Sequence, residues 1–90
     1  MKKIYLFYTC DSNKTFDSMR VQCVTTSVHR LKKSLIDNIN GCLIPGLTKS
    51  DKDIHIRKVN EIFSRTNPFM VGSEINRYFS GYIYIQTWND

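Results

Sequence analysis

Five consecutive apolar side chains near the start of the chain constrain the fold more than any other feature. The segment Lys3–Thr9 is β-branched and aromatic and contains no alanine or glutamate, which predicts a strand. Alternate side chains of a strand lie on opposite faces. The two faces are Ile4, Leu6, Tyr8 and Tyr5, Phe7, Thr9. Because both faces are apolar, we expect this strand to be central in its sheet.

Chain length and cysteine content limit the fold and its compartment. Ninety residues are enough for one hydrophobic core and too few for two, so we predict a single domain over residues 1–90. The apolar run from Ile4 to Tyr8 is far shorter than the roughly 20 residues of a membrane-spanning helix. Cys10, Cys23 and Cys42 are odd in number and form no C-x-x-C pair, which favours the cytoplasm. Zinc-ligand spacings are absent, so we expect neither a metal nor a cofactor.

A polar loop and a second strand follow the first strand. Residues 10–18 are rich in turn-forming side chains and predict a long loop. Residues 19–25 alternate again, which predicts a strand antiparallel to the first one. Met19, Val21 and Cys23 would lie on one of its faces.

The next segment predicts a helix over Val28–Asn40. Ser27 is a suitable N-cap, and apolar residues recur after it at helical spacing. Gly41 directly follows the last periodic residue, so we expect it to be a left-handed C-cap.

A second helix is predicted after the turn signal Pro45-Gly46. Ser50 and Asp53 resemble a capping box at its start. Its apolar residues form one stripe, and Pro68 ends it by position 66.

The C-terminal quarter is ambiguous between a helix and a strand. Residues 68–79 fit either a helical turn capped by Ser73 or a strand over 74–79. We favour the strand, because Ser80-Gly81 is a two-residue turn with strand-like sequence on both sides. Residues 82–88 then form the last strand, with Ile83 and Ile85 on one face and the aromatic residues on the other.

These elements predict an α+β fold in the order β-β-α-α-β-β. We expect a small antiparallel sheet with two helices packed on one face. The isoleucine-bearing faces of the strands would pack on the helices. The aromatic residues would cover the opposite face.

The charge of the chain favours recognition, and its motifs do not favour catalysis. Thirteen Lys and Arg against eight Asp and Glu give a net charge of +5, which attracts nucleic acid or an acidic protein face. The motifs G-x-S-x-G, Walker A and H-E-x-x-H are absent. Cys10 would need a lowered pKa to act as a nucleophile, and the alternative is that Cys10 and Cys23 are small buried hydrophobes. We therefore expect no enzyme.

Two groups of residues are candidates for binding a partner. The loop over 10–18 is one, since a long polar connection on a small scaffold is often functional. Phe16 in that loop either anchors it to the core or contacts a partner. The basic helix faces are the other group. Together they give Asp11, Asn13, Lys14, Phe16, Arg30, Lys32, Lys33, Lys52, Arg57 and Lys58 as candidate partner-binding residues.

Aromatic residues on the strands suggest a further binding mode. A sheet face of aromatic side chains next to Lys and Arg would be a stacking platform for single-stranded nucleic acid, RNA in particular. Such residues also pack ordinarily in cores and across strands. The residues concerned are Tyr5, Phe7, Tyr82, Tyr84 and Trp88.

The first forty residues resemble a class of small phage and mobile-element accessory proteins. The resemblance lies in Tyr5-Leu-Phe-Tyr-Thr-Cys-Asp11, which matches a Y-T-x-D strand end, followed by a Ser-rich loop with Ser12 and Ser18 and a second strand. The chain departs from that pattern at 13–16, where aromatic residues or histidine are usual. No catalytic residue is carried over.

This resemblance implies a virus-encoded inhibitor of a bacterial defence system, of the anti-CRISPR type, acting in the host bacterial cytoplasm. Its partner would be a CRISPR nuclease, bound directly or through its guide RNA. The alternative is a stand-alone module that binds single-stranded RNA.

Overall fold

The computed structural model describes residues 3–44, 46–67 and 70–89. Within these ranges the chain forms three strands and three α-helices. The strands are β1 (Lys3–Thr9), β2 (Arg20–Thr25) and β3 (Ile83–Asn89), and the helices are α1 (Val28–Asn40), α2 (Lys52–Arg65) and α3 (Val71–Tyr78). The predicted α+β class and antiparallel sheet are confirmed.

The strands form one sheet in the order β2-β1-β3, and both pairings are antiparallel. The prediction that the first strand is central is therefore confirmed. Phe7 lies opposite Cys23 on one side and opposite Ile85 on the other. Asn76 of α3 occupies the free edge of β3, where its side chain amide donates to the carbonyl of Ile85 at 2.8 Å and accepts from the N–H of Ile85 at 2.7 Å.

The faces of β1 are the reverse of the predicted ones. Tyr5 and Phe7 are buried beneath the helices together with Ile83 and Ile85, whereas Ile4, Leu6 and Tyr8 lie on the other face. The isoleucines of β3 face the helices as predicted. Antiparallel pairing places Phe7 beside Ile85, so the aromatic side chains Tyr5 and Phe7 of β1 pack in the core with the isoleucines of β3.

A β-bulge in β2 changes the face on which Val21 lies. The pairing with β1 shifts between Phe7 and Tyr8, so Cys23 is opposite Phe7 and Val21 is opposite Tyr8. Because a bulge inserts an extra residue, Val21 and Cys23 no longer share the face that strict alternation predicts. Val21 is exposed beside Tyr8, and Cys23 packs against the core.

Helix α1 has the predicted bounds, and Ser27 is its N-cap. The Ser27 Oγ accepts a hydrogen bond from the N–H of Arg30 at 3.2 Å. The predicted left-handed C-cap at Gly41 is wrong, since Gly41 has φ −80°. Cys42 adopts the left-handed conformation instead, with φ 55°, and the N–H of Leu43 closes the helix on the carbonyl of Asn38.

Helix α2 lacks the predicted capping box. It begins after a 3₁₀ turn at Lys49–Asp51, and its N-cap residue Asp51 makes no side-chain capping bond, because its carboxylate instead accepts from the hydroxyl of Thr48. The helix ends at Arg65, as predicted. Pro68 lies outside the described residues, as does Pro45 of the predicted turn; Gly46 is described and has φ 94°.

The strand predicted over 74–79 is a helix, α3. Val71 and Ile75 of the helix and Phe79 directly after it follow helical spacing and are buried. Gly72 lets this helix approach β3 closely, because a Cβ there would stand 3.2 Å from Ile85. The predicted Ser80-Gly81 hairpin is likewise wrong, since these residues join a helix to a strand.

All three helices contribute to one hydrophobic core on one face of the sheet. It is formed by Tyr5, Phe7, Leu31, Leu35, Ile39, Ile44, Val59, Ile62, Val71, Ile75, Phe79, Ile83 and Ile85. In the described parts of the chain, no helix combines the length and apolarity needed to cross a membrane.

The core predicts contrasting effects of the same substitution at two leucines. Leu35 is fully buried, so Leu35→Ala removes packed methyl groups and should lower the free energy of unfolding by about 2–5 kcal/mol. Leu43 is 66% exposed, so Leu43→Ala should change it by less than about 0.5 kcal/mol. Urea denaturation followed by circular dichroism measures both, and equal losses would contradict this core.

Candidate interaction face

The sheet face opposite the helices is open in the described structure. It is uncovered along most of β1, with the loop over 10–18 at one end. We call it the outer face; its residues are Ile4, Leu6, Tyr8, Val21, Val24, Tyr84, Gln86 and Trp88. Along β1, the half-buried side chains of the outer face alternate with side chains that are buried on the opposite face.

One end of the outer face is apolar. Ile4 lies opposite Trp88, and Leu6 lies opposite Val24. Val24 is 60% exposed and Trp88 is 56% exposed. We call these four residues the apolar half. Exposed apolar side chains that adjoin one another are typical of surfaces that bind a partner.

The other end of the outer face forms a groove with the loop. Its volume is about 570 Å³, and we call it the loop groove. It is lined by Tyr8, Lys14, Phe16, Met19, Tyr84 and Gln86. Phe16 is 88% exposed, so its ring is not an anchor to the core.

Aromatic rings and polar groups are combined in the loop groove. The rings of Tyr8 and Tyr84 are cross-strand neighbours, with centroids 6.1 Å apart and planes tilted by 31°. The hydroxyl of Tyr8 donates to Oε1 of Gln86 at 3.2 Å. Nζ of Lys14 lies 5.8 Å from the centroid of the Tyr84 ring and donates to the carbonyl of Asn76 at 3.2 Å. Lys14 thus connects the loop to α3 and provides one cation at the groove.

The carboxylate of Asp11 orders the loop from within. Its Oδ1 accepts from the N–H groups of Asn13 and Thr15, each at 3.0 Å, and its Oδ2 accepts from the hydroxyl of Thr15 at 2.7 Å. The bonds from Thr15, followed by the one from Asn13, lower the pKa of Asp11, because they stabilise the charged form. The polar side chains of this loop therefore stabilise its conformation.

The first residues of the loop are fixed to the segment directly before β3. The N–H of Cys10 donates to the carbonyl of Tyr82, and the N–H of Tyr82 donates to the carbonyl of Asp11, both at 3.0 Å. Gly81 packs on the backbone of Ser12, and a Cβ at Gly81 would lie within 3 Å of it. The loop is consequently preorganised, which lowers the entropy cost of binding through it.

The environment of Cys10 does not activate its thiol. Burial raises the pKa of Cys10, an effect larger than the opposing one of nearby Lys14. A raised pKa keeps the thiol protonated at neutral pH, and the thiolate is the nucleophile. Among the described residues, no three His, Cys, Asp or Glu side chains are placed to hold a metal ion.

The predicted partner-binding residues fall into two groups that the fold separates. Asp11, Asn13, Lys14 and Phe16 belong to the ordered loop, but only Lys14 and Phe16 line the groove. The six basic residues belong to α1 and α2, which pack on the opposite face of the sheet. The loop and the basic helix faces therefore do not form one site.

The six basic helix residues differ in their contacts. Nζ of Lys33 forms an ion pair with Oδ2 of Asp37 at 2.8 Å. Nζ of Lys58 lies 3.5 Å from Oε1 of Glu61 and 5.8 Å from the centroid of the Tyr78 ring. Lys52 lines a small cavity of about 10 Å³. The side chains of Arg30, Lys32 and Arg57 make no hydrogen bond or ion pair with other described residues.

Several residues of the outer face and of the loop groove were not among the binding candidates predicted from the sequence. They are Ile4, Leu6, Tyr8, Met19, Val21, Val24 and Gln86. Alternation along β1 does place Tyr8 and Phe7 on different faces of the sheet. Which of those two faces the helices depends on long-range packing, and neighbouring residues in the sequence do not determine it.

No protein-family model, curated protein or solved structure matches the chain. The resemblance to phage and mobile-element accessory proteins therefore stays a prediction.

The hydrogen bonds of Asp11 predict a low titration midpoint. The pKa of Asp11 is lowered in the folded state, so its stabilising effect is present above the ordinary value of about 3.9 and is lost as the pH falls through the lowered value. An NMR titration should show the amide signals of Asn13 and Thr15 changing with that midpoint.

The substitution Thr15→Val tests the cause of this shift. It removes one bond and should raise the midpoint of Asp11 toward 3.9. Thr48→Val is the matched control, because Thr48 bonds Asp51 instead, and it should leave the midpoint unchanged. An unchanged midpoint in Thr15→Val would show that the bond is not formed.

Proposed function

We propose that this protein is a non-enzymatic inhibitor that binds a bacterial defence effector, a guide-RNA nuclease of the CRISPR type, in the host cytoplasm. The observation that carries the proposal is the apolar half of the outer face beside a preorganised loop with an exposed Phe16. Direct contact with the nuclease would be made by this face.

The composition of the outer face supports a protein partner. Trp, Tyr, Phe and Met are enriched at protein interfaces, and Trp and Tyr often contribute most of the binding free energy. The apolar half has Trp88, and the groove end adds Phe16 and Met19. Covering these side chains would remove apolar surface from water, which stabilises a complex.

The basic helix layer supports a target that is itself acidic or contains RNA. Arg30, Lys32 and Arg57 project from α1 and α2, on the side of the sheet away from the apolar half. A net charge of +5 would accelerate association with a polyanionic ribonucleoprotein. The resemblance of the first forty residues to phage accessory proteins supports the same class of target.

The stand-alone RNA-binding module is a second candidate. The five-ring stacking platform on which it rested is not formed, because Tyr5 and Phe7 are buried and Tyr82 packs against the core. The observation that favours it is that the side chains of Arg30, Lys32 and Arg57 on the basic helix faces pair with no other described residue. It predicts salt-sensitive binding of oligonucleotides that neutral substitutions of Lys32 and Lys33 weaken.

The proposed function is tested by one substitution on each side of the sheet. Val24→Lys puts a charge into the apolar half and should weaken inhibition of target cleavage by about tenfold or more. Ile54→Lys on α2 is the matched control, since Ile54 is 56% exposed and Val24 is 60% exposed, and it should leave inhibition unchanged. Nuclease assays over a protein titration measure both, after melting curves confirm that each variant is folded.

Two outcomes would contradict the proposed function. Equal weakening by both substitutions would show that the outer face is not the contact surface. If affinity capture from bacterial lysate recovers no defence effector and no purified guide-RNA nuclease is inhibited, the protein is not such an inhibitor.

A further inference from the structure

We propose that the loop groove binds one unpaired nucleotide of a single-stranded nucleic acid. Its base would stack on the rings of Tyr8 and Tyr84, and its phosphate would contact Lys14. This inference goes beyond the protein contact proposed above and rests on it only for the source of the nucleotide, which would be the guide RNA of the target.

The size and walls of the groove suit a base. A volume of about 570 Å³ falls within the range of about 300–1,000 Å³ that small-ligand sites have. The Tyr8 and Tyr84 rings, side by side with their planes tilted by only 31°, form an aromatic floor. Phe16 and Met19 contribute a second, apolar wall. Proteins hold unpaired bases on aromatic surfaces of this kind, whatever the base.

Lys14 gives the groove its preference for an anion. The lining residues include no Asp or Glu, so no carboxylate of the lining competes for its ammonium group. The carbonyl of Asn76 accepts one of the three ammonium protons, which leaves two to donate. A phosphate oxygen would accept them in charge-assisted hydrogen bonds, which are stronger than neutral ones.

The side-chain amide of Gln86 provides N–H donors for hydrogen bonds to the edge of the base. Its Oε1 accepts from the hydroxyl of Tyr8, which fixes the orientation of the amide. The amide nitrogen makes no hydrogen bond with other described residues, so its two protons are free to donate. A carbonyl oxygen on the edge of a pyrimidine or of guanine would accept them.

A side chain of a protein partner fits the groove less well than a nucleotide does. An apolar anchor would cover Lys14 and the Gln86 amide without pairing them, and burying unpaired polar groups opposes binding. The apolar half, which has neither group, is the better position for such an anchor. The outer face therefore has an apolar end suited to protein and a polar-aromatic end suited to a nucleotide.

The test is binding of fluorescein-labelled six-nucleotide oligo(U) and oligo(dT) to the isolated protein at low salt, followed by anisotropy. Tyr84→Leu should weaken binding by about tenfold or more, because it removes a stacking surface and keeps apolar bulk. Lys14→Met should weaken binding. It should also make the slope of log affinity against log salt concentration shallower by about 0.7, which is the contribution of one phosphate contact on a single strand.

Two further variants control for charge and for folding. Lys49→Met removes a charge from an exposed lysine at the start of the 3₁₀ turn before α2, and should leave affinity within about twofold of the unmodified protein. Phe16→Leu alters a ring that is 88% exposed, so it preserves the core while weakening binding. Stronger binding of oligo(U) than of oligo(dT) would indicate RNA as the source, and equal binding would indicate either nucleic acid.

The outcomes separate this inference from the proposed function. If neither oligonucleotide binds, or if Lys14→Met and Lys49→Met weaken binding equally, the groove is not a nucleotide site. If the protein binds no oligonucleotide while Tyr84→Leu still weakens nuclease inhibition, the groove holds a protein side chain. In that case the nucleotide inference is wrong and the proposed function stands.

Discussion

Three helices cover one face of a three-stranded sheet, and the described chain has no further layer for the other face. Phe7 on the central strand illustrates the constraint, since it is fully buried between β2 and β3 beneath the helices, while Tyr8 next to it is on the open side. A domain of this size leaves a large fraction of its surface exposed. Because the three helices pack on the same face, the other face stays open with its exposed apolar residues.

The loop over 10–18 converts part of this open face into a shaped site. Asp11 accepts hydrogen bonds from within the loop, Tyr82 fixes its first residues, and Lys14 connects it to α3. The ammonium group of Lys14 is then held over the Tyr84 ring. Asp11 and Thr15 order the loop without lining the groove, so they can be altered separately from Tyr84 and Gln86. Lys14 does both.

Local patterns in the sequence predicted some features that depend on neighbouring residues, although the C-cap at Gly41 and the capping box at Ser50 were wrong. The bounds and the N-cap of α1 follow from periodicity and from Ser27, and the central position of β1 follows from its two apolar faces. Two features that depend on distant contacts were predicted wrongly. The face of β1 that meets the helices is set by its register with β3, and the short α3 is stabilised by packing on β3, which overrides the strand-like composition of its sequence. The loop groove combines residues from three separate segments, so no local motif indicates it.

Hydrogen exchange of the free protein and of its complex with an inhibited nuclease tests whether the outer face is the recognition surface. If it is, exchange should become slower on binding in the loop, in β2 and in β3, with little change in α1 and α2. Slower exchange confined to α1 and α2, where the basic residues lie, would contradict it.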